Sequence, residues 1–218
     1  SVIAILDTGF ALDHPSFTMP KGISYTIEEE DIPTLCKDTY VIFRQTREKI
    51  GETYISPKIP FAYDYCHGDD EVMTENDHGT HVSGVIVGKD SVITGVAPNA
   101  QLVSMKTFSD VMDTARASWI LSALEDCVIL GVDVINMSLG TSCGFNRESE
   151  EELLNGVYDK IRAAGISVVV AASNSYSSAY GSEANGNLPL TSNPDVGTVG
   201  SPATLGAALS VASIMGVK

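Results

Sequence analysis

Short, continuous apolar runs alternate along this chain with segments of helical period. Residues 1–6, 101–108, 132–140, 166–173 and 208–214 read as strands, mostly with the unbroken apolar character of strands buried on both faces. Between them Ile120, Ala123, Leu124, Cys127 and Val128 recur at helical spacing and paint one face of a helix that Gly131 stops. A second helix is predicted over 148–164. Glu148, Glu150, Glu151 and Glu152 suit the positive end of its dipole, Lys160 and Arg162 the negative end, and Gly165 supplies a cap. Leu154, Val157, Tyr158 and Ile161 form its expected buried stripe. Strand–helix–strand repetition with connections of this length implies right-handed crossovers and a parallel sheet, so the expected fold class is α/β. Ligands of such sheets bind at the carboxyl ends of the strands, where Asp7, Ser138, Leu139, Gly140, Ser173 and Asn174 fall.

Residues 13–75 break the rhythm. They carry the charged stretches TIEEEDIPTLCKDTY and RQTREKIGETYISPKIP, and read as a surface excursion with a short helix over about 28–47. Too few apolar residues are available there for an independent core, so one domain over 1–218 is expected, with an irregular insertion at about 13–75.

Composition then narrows the function. A chain of 218 residues, 44% hydrophobic and 19% charged, can bury a full core. Its net charge of −15, from 28 acidic against 13 basic residues, argues against nucleic acid and anionic membrane surfaces as partners. Every apolar run is interrupted well before the roughly 20 residues that a spanning helix needs, and no secretory signal is present. The chain begins abruptly inside an apolar strand and so reads as a fragment, which empties the missing signal of meaning for localisation. Cys36, Cys66, Cys127 and Cys143 show no C-x-x-C spacing, giving zinc and thioredoxin-like readings little support. Cys127 sits on the apolar helical stripe as a buried thiol. One or two disulfides stay open, and the sequence does not pair them.

Candidate chemistry starts at Asp7-Thr8-Gly9, directly after the first strand. Such a tripeptide surrounds the aspartate of two unrelated kinds of peptidase. In an aspartic protease two carboxylates share a proton, so a second Asp-Thr-Gly or Asp-Ser-Gly is required. None occurs here. In the other kind the aspartate orients a histidine. NDHGTHVSG, residues 76–84, supplies His78 and His81 on a segment predicted to be a helix starting at the histidine. A metal reading of H-G-T-H lacks a third ligand and an adjacent glutamate base. A Rossmann-type dehydrogenase is the fold-level rival, but Asp7-Thr8-Gly9-Phe10 stands where G-x-G-x-x-G belongs.

Four blocks now stand in order: Asp7-Thr8-Gly9, His78 to Gly84, Val134-Ile135-Asn136-Met137-Ser138-Leu139-Gly140, and Ala171-Ala172-Ser173-Asn174. Together they resemble the signature blocks of the subtilisin-like serine proteases. The resemblance implies a subtilisin-like parallel sheet flanked by helices, with Asp7 as triad aspartate, His78 as catalytic base, His81 as a structural histidine and Asn174 as oxyanion donor. It also implies that Ser138, Leu139 and Gly140 pair with substrate backbone by strand addition. Ala171, Ala172 and Ser173 would line one wall of the specificity pocket and Gly200 its floor. Ser173 stands where the family usually has glycine.

The nucleophile of that family opens a buried helix in a Gly-Thr-Ser-Met/Leu-Ala-type motif. LGTSC, 139–143, is a decoy: Ser142 follows the substrate-pairing strand and Cys143-Gly144-Phe145-Asn146 is loop chemistry. The expectation is therefore a sheet truncated before the nucleophile helix, carrying two of three triad members, inactive by itself, with the rest of the catalytic domain as partner. The stretch 187–213 and the long separation of Asp7 from His78 are similar to the cell-envelope proteinases of Gram-positive bacteria, the lactocepin and streptococcal complement-peptidase branch. That likeness implies an extracellular or wall-associated enzyme acting on protein or peptide, with no cofactor in the chemistry and room for structural calcium. A pseudoprotease or peptide-binding subunit that keeps the cleft is the alternative.

Overall fold

The computed structural model describes residues 1–41, 50–112, 114–141, 148–174 and 199–213. They divide into two compact units, Ser1–Asn136 and Met137–Lys218.

In chain order the first unit holds β1 (Val2–Asp7), α1 (Ile32–Leu35), β2 (Phe61–Asp64), α2 (His78–Val87) and β3 (Gln101–Lys106). A small antiparallel pair, β4 (Phe108–Ser109) and β5 (Thr114–Ala115), follows, then α3 (Ala117–Leu130) and β6 (Val134–Met137) at the boundary. The strand order is β2–β3–β1–β6, and both β1 and β2 run parallel to β3. β1, β2 and β3 are buried at every residue, including the polar Gln101, Ser104 and Lys106 of β3, as strands covered on both faces are. Ile3, Ile5, Phe10, Phe17, Ile59, Ala62, Val87 and Leu102 form one core cluster. The register sets Asp7 opposite Lys106 and Lys106 opposite Asp64, so three charged residues end three adjacent strands at the same edge.

α3 follows the sequence pattern closely. Ala123, Leu124 and Cys127 are buried, and Gly131 caps the helix in the left-handed region at φ 67°, where its N–H reaches the carbonyls of Cys127 and Val128. Cys127 is a buried free thiol against Met105, and Cys36 and Cys66 are also free. Asp126 departs from the pattern: it is buried on the same helix, taking the Tyr40 N–H at 2.7 Å and the Tyr65 hydroxyl at 2.8 Å.

Residues 13–75 contribute more core than their composition promised. β2 lies within them, and Phe17, Ile27, Ile32, Cys36, Ile59, Phe61, Tyr63 and Tyr65 are buried. Their apolar residues are spread thinly between charged ones, so no window shows a period. Tertiary packing gathers them instead. The short helix expected over 28–47 is three successive single turns, a 3₁₀ turn at Glu29–Asp31, α1, and a 3₁₀ turn at Cys36–Asp38, and residues 42–47 of that span lie outside the described residues.

The second unit holds α4 (Glu148–Ala163), β7 (Ser167–Ala171) and β8 (Ala208–Val211), with β7 and β8 parallel. Tyr158 and Ile161 are buried on α4, and Gly165 takes φ 82° after it, as the cap reading expects. Among the described residues no helix is long and apolar enough to cross a membrane.

Candidate active site

Asp7 is the last residue of β1 and His78 the first of α2, so two element termini carry the pair. His78 Nδ1 lies 2.7 Å from Asp7 Oδ1. The carboxylate is 1% exposed, while the imidazole is half open at 49%. The same Oδ1 also accepts the Thr8 N–H at 2.7 Å and the Thr8 hydroxyl at 3.2 Å. Asp7 Oδ2 is buried and accepts no hydrogen bond from the described residues. The bonds therefore converge on one oxygen, which makes the imidazole a main partner of a desolvated charge.

Local sequence explains how the pair closes. Gly9 has φ 147°, and a Cβ there would run into Thr74 and the Val72 carbonyl. A Cβ on Gly79 would overlap the Gly9 carbonyl and meet Asp7 Cβ at 3.0 Å. Both glycines are needed because backbone passes backbone where β1 meets α2. Thr8 Oγ1 accepts the Gly79 N–H at 3.3 Å, and Thr80 Oγ1 accepts the Ala11 N–H at 2.9 Å, stitching the two segments from both sides. Asn76, one residue before the N-cap Asp77, turns the chain into the helix, its Oδ1 accepting the His78 N–H at 3.0 Å.

A network rooted in buried Asp64 and Lys106 reaches the surface at this entry. Lys106 Nζ donates to Asp64 Oδ2 at 2.8 Å and to Asp110 Oδ2 at 2.6 Å. Asp110 Oδ1 accepts the Thr74 hydroxyl at 2.6 Å, and Thr74 Oγ1 accepts the Asn76 N–H at 3.3 Å. Thus the turn that leads into α2 is linked, through Thr74 and Asp110, to a lysine buried at the end of β3. A cleft of about 690 Å³, lined by Thr8, Thr74, Glu75, Asn76, Asp77, Phe108, Ser109 and Asp110, opens beside it. Sequence reasoning passed over Thr8, Asn76, Lys106 and Asp110. The available signals were an asparagine two positions before a helix start and a lysine ending a strand buried on both faces, which demands a counter-charge.

His81 is exposed one turn further along α2 and does not touch Asp7; it lines a separate apolar groove with His14, Phe17 and Val85. The donor set for a cation among the described residues is Asp64, Cys66 and His67. Its sulfur and nitrogen atoms are not the all-oxygen shell that calcium takes, so it does not correspond to the structural calcium the resemblance allows.

In the second unit the predicted substrate-facing residues draw together. Ser138 and Leu139 are half-buried and Gly140 is exposed at the end of β6. Thr141 donates its N–H to the Ser201 carbonyl at 2.9 Å, Gly200 to the Ala172 carbonyl at 2.7 Å, and Ala172 to the Val211 carbonyl at 2.8 Å. A Cβ on Gly200 would overlap the Thr141 carbonyl, so only glycine fits between the two segments. Ala171 ends β7, Ala172 is buried, and Ser173 and Asn174 are exposed. Ser173 sits at φ 141°, a conformation that favours glycine. Ser142, Cys143 and the 187–198 part of the stretch used for the finer resemblance lie outside the described residues.

A histidine held by Nδ1 against a buried carboxylate presents Nε2 to solvent in the tautomer that can accept a proton. Comparison with known proteins bears on the family. The model of the subtilase family matches residues 1–216. A C5a peptidase of Streptococcus pyogenes serotype M3 is 31% identical over 98% of this chain and 18% of its own length. A PI-type proteinase of Lactococcus lactis subsp. cremoris is 33% identical over 98% of this chain and 11% of its own. A PII-type proteinase of Lacticaseibacillus paracasei is 30% identical over 98% of the chain and 11% of its own length. The chain thus spans less than a fifth of the curated relatives it matches.

Proposed function

The chain belongs to the subtilase family, and from that premise we propose that it is the Asp- and His-bearing part of the catalytic domain of a serine endopeptidase. The observation that carries this reading is the 2.7 Å contact between buried Asp7 and half-open His78 at the carboxyl end of a parallel strand.

In the proposed reaction His78 Nε2 takes the proton of a serine hydroxyl as that oxygen attacks the scissile carbonyl, then returns it to the leaving amine. Asp7 fixes the tautomer and stabilises the imidazolium that forms in between; it does not take the proton itself. The Asn174 side-chain amide donates to the carbonyl oxygen as it becomes an oxyanion, at the moment when that bond is worth most. Ser138, Leu139 and Gly140 pair with the substrate main chain. Ala171, Ala172, Ser173 and Gly200 shape the pocket for its side chain; the hydrogen bond from the Gly200 N–H to the Ala172 carbonyl and the fit of its backbone against Thr141 support that role.

The nucleophilic serine comes from a segment outside these 218 residues, because no Gly-Thr-Ser-Met/Leu-Ala-type helix opening occurs among them. The chain alone is then inactive and works with that segment as its partner, on protein or peptide, outside the cell or at its wall. A fluorophosphonate probe tests this directly. Labelling of the longer protein but not of this chain, lost in His78→Ala, is expected. Labelling of this chain that disappears in Ser142→Ala would move the nucleophile to Ser142, and a folded longer protein that never labels would be a pseudoprotease.

A further inference from the structure

The turn after β2 gathers donor atoms that the proposed peptidase chemistry does not use. Cys66 Sγ lies 4.0 Å from His67 Nε2, and His67 Nδ1 lies 2.8 Å from Asp64 Oδ2. One oxygen of Asp64 holds the turn, since Oδ1 accepts the N–H of Cys66 at 2.7 Å and of His67 at 3.0 Å. The other is shared between His67 and Lys106 Nζ, which donates at 2.8 Å. Asp64 is fully buried, Cys66 is half-buried, and the His67 side chain is 42% exposed. Two donors thus face outward on a rigid carboxylate base.

We propose that Cys66 Sγ and His67 Nε2 form a chelate for a thiophilic d¹⁰ cation, of which Zn²⁺ is the member to test. Zinc takes thiolate at about 2.3 Å and imidazole at about 2.0 Å, which places tetrahedral ligands about 3.6 Å apart. The observed 4.0 Å closes to that value by a small side-chain rotation. Asp64 is the outer partner: a carboxylate on the far nitrogen fixes the tautomer of a metal-binding histidine and raises its basicity. Lys106 already balances Asp64, so the carboxylate is not itself a ligand, and the remaining positions fall to water or an anion.

The thiol must give up its proton to the solvent as the metal binds. Affinity therefore rises with pH. The same Asp64–Lys106–Asp110–Thr74 network that anchors this turn ends at Asn76, in the turn that leads into α2. A cation here stiffens the far end of the scaffold that positions His78.

Cobalt(II) titration of the intact protein reads the site without reference to peptidase activity. One equivalent with a near-ultraviolet sulfur-to-cobalt charge-transfer band is expected, displaced by Zn²⁺. Zn²⁺ affinity, measured by competition with a chromophoric chelator, should fall at least tenfold in Cys66→Ala and in His67→Ala. Both sites are on the surface of a turn, and circular dichroism of each variant checks that the fold is kept. Cobalt binding without the band, or zinc affinity unchanged in either variant, would assign the metal to other donors and overturn the proposal.

Discussion

Gly79 decides whether His78 can reach Asp7. A methyl group at position 79 overlaps the Gly9 carbonyl and crowds Asp7 Cβ, both parts of backbone-anchored segments that cannot swing aside. Gly79→Ala should therefore destabilise the chain by about 2–3 kcal/mol, read in denaturant unfolding, and lower peptidase activity of the longer protein as the dyad opens. Asp7→Asn should keep the fold yet cost about 10⁴-fold in kcat, because an amide favours the wrong imidazole tautomer. A variant that retained near-full activity would remove Asp7 from the mechanism. Ser173 runs the opposite way. At φ 141° a serine carries about 1–3 kcal/mol of strain that glycine avoids, so Ser173→Gly should raise stability by about 1 kcal/mol in thermal unfolding after glycine's own entropy cost. At this scale the sequence displayed Asp7 and His78 plainly, as residue types in a motif. Their distance across 71 positions, and the need for Gly79 between them, exist only once β1 and α2 cross.

α3 shows an element whose outline was legible and whose one polar exception was not. Its apolar spacing and Gly131 cap are local properties, so Ala123, Leu124 and Cys127 were predictable as core. Asp126 lies on the buried side because Tyr65 and the backbone at Tyr40, more than 60 positions away, supply its partners. Burial pushes Asp126 up to about 6, with the bonds from Tyr40 and Tyr65 pulling the other way. The folded value exceeds the ordinary 3.8, so the folded chain binds the extra proton between about pH 4 and 6. Its contribution is most favourable in acid and declines through that window, by about 3 kcal/mol in the limit. Asp126→Asn keeps hydrogen-bonding capacity on both sides and removes the titration. The stability difference between Asp126→Asn and the parent should grow from pH 4 to pH 7 in the variant's favour; a constant difference would contradict the assignment. β3 poses the related case of Lys106, where Lys106→Met removes the buried ammonium from Asp64 and leaves His67 as its charge partner. A loss of about 3–5 kcal/mol in urea unfolding, little changed by salt, is expected.

At the largest scale, the excess of 15 negative charges over these 218 residues contributes a negative field that favours the approach of cationic peptides. A lysine-rich peptide should be cleaved by the longer protein with a kcat/KM that falls from low to high salt, while a neutral peptide of equal length changes little. Equal salt responses would mean that the charge is not focused where substrate arrives. The sequence by itself determined the α/β class, the order of the signature blocks and the placement of their residues at strand ends, because periodicity, glycine caps and motif spacing are written locally along the chain. It could not display β2, the buried insertion residues or the Asp64–Lys106–Asp110 network. Those rest on contacts between distant segments, as between Asp64 and Lys106, 42 positions apart; a buried charge is tolerable only when it finds its counter-charge in the folded core, and that is a condition only tertiary structure can meet.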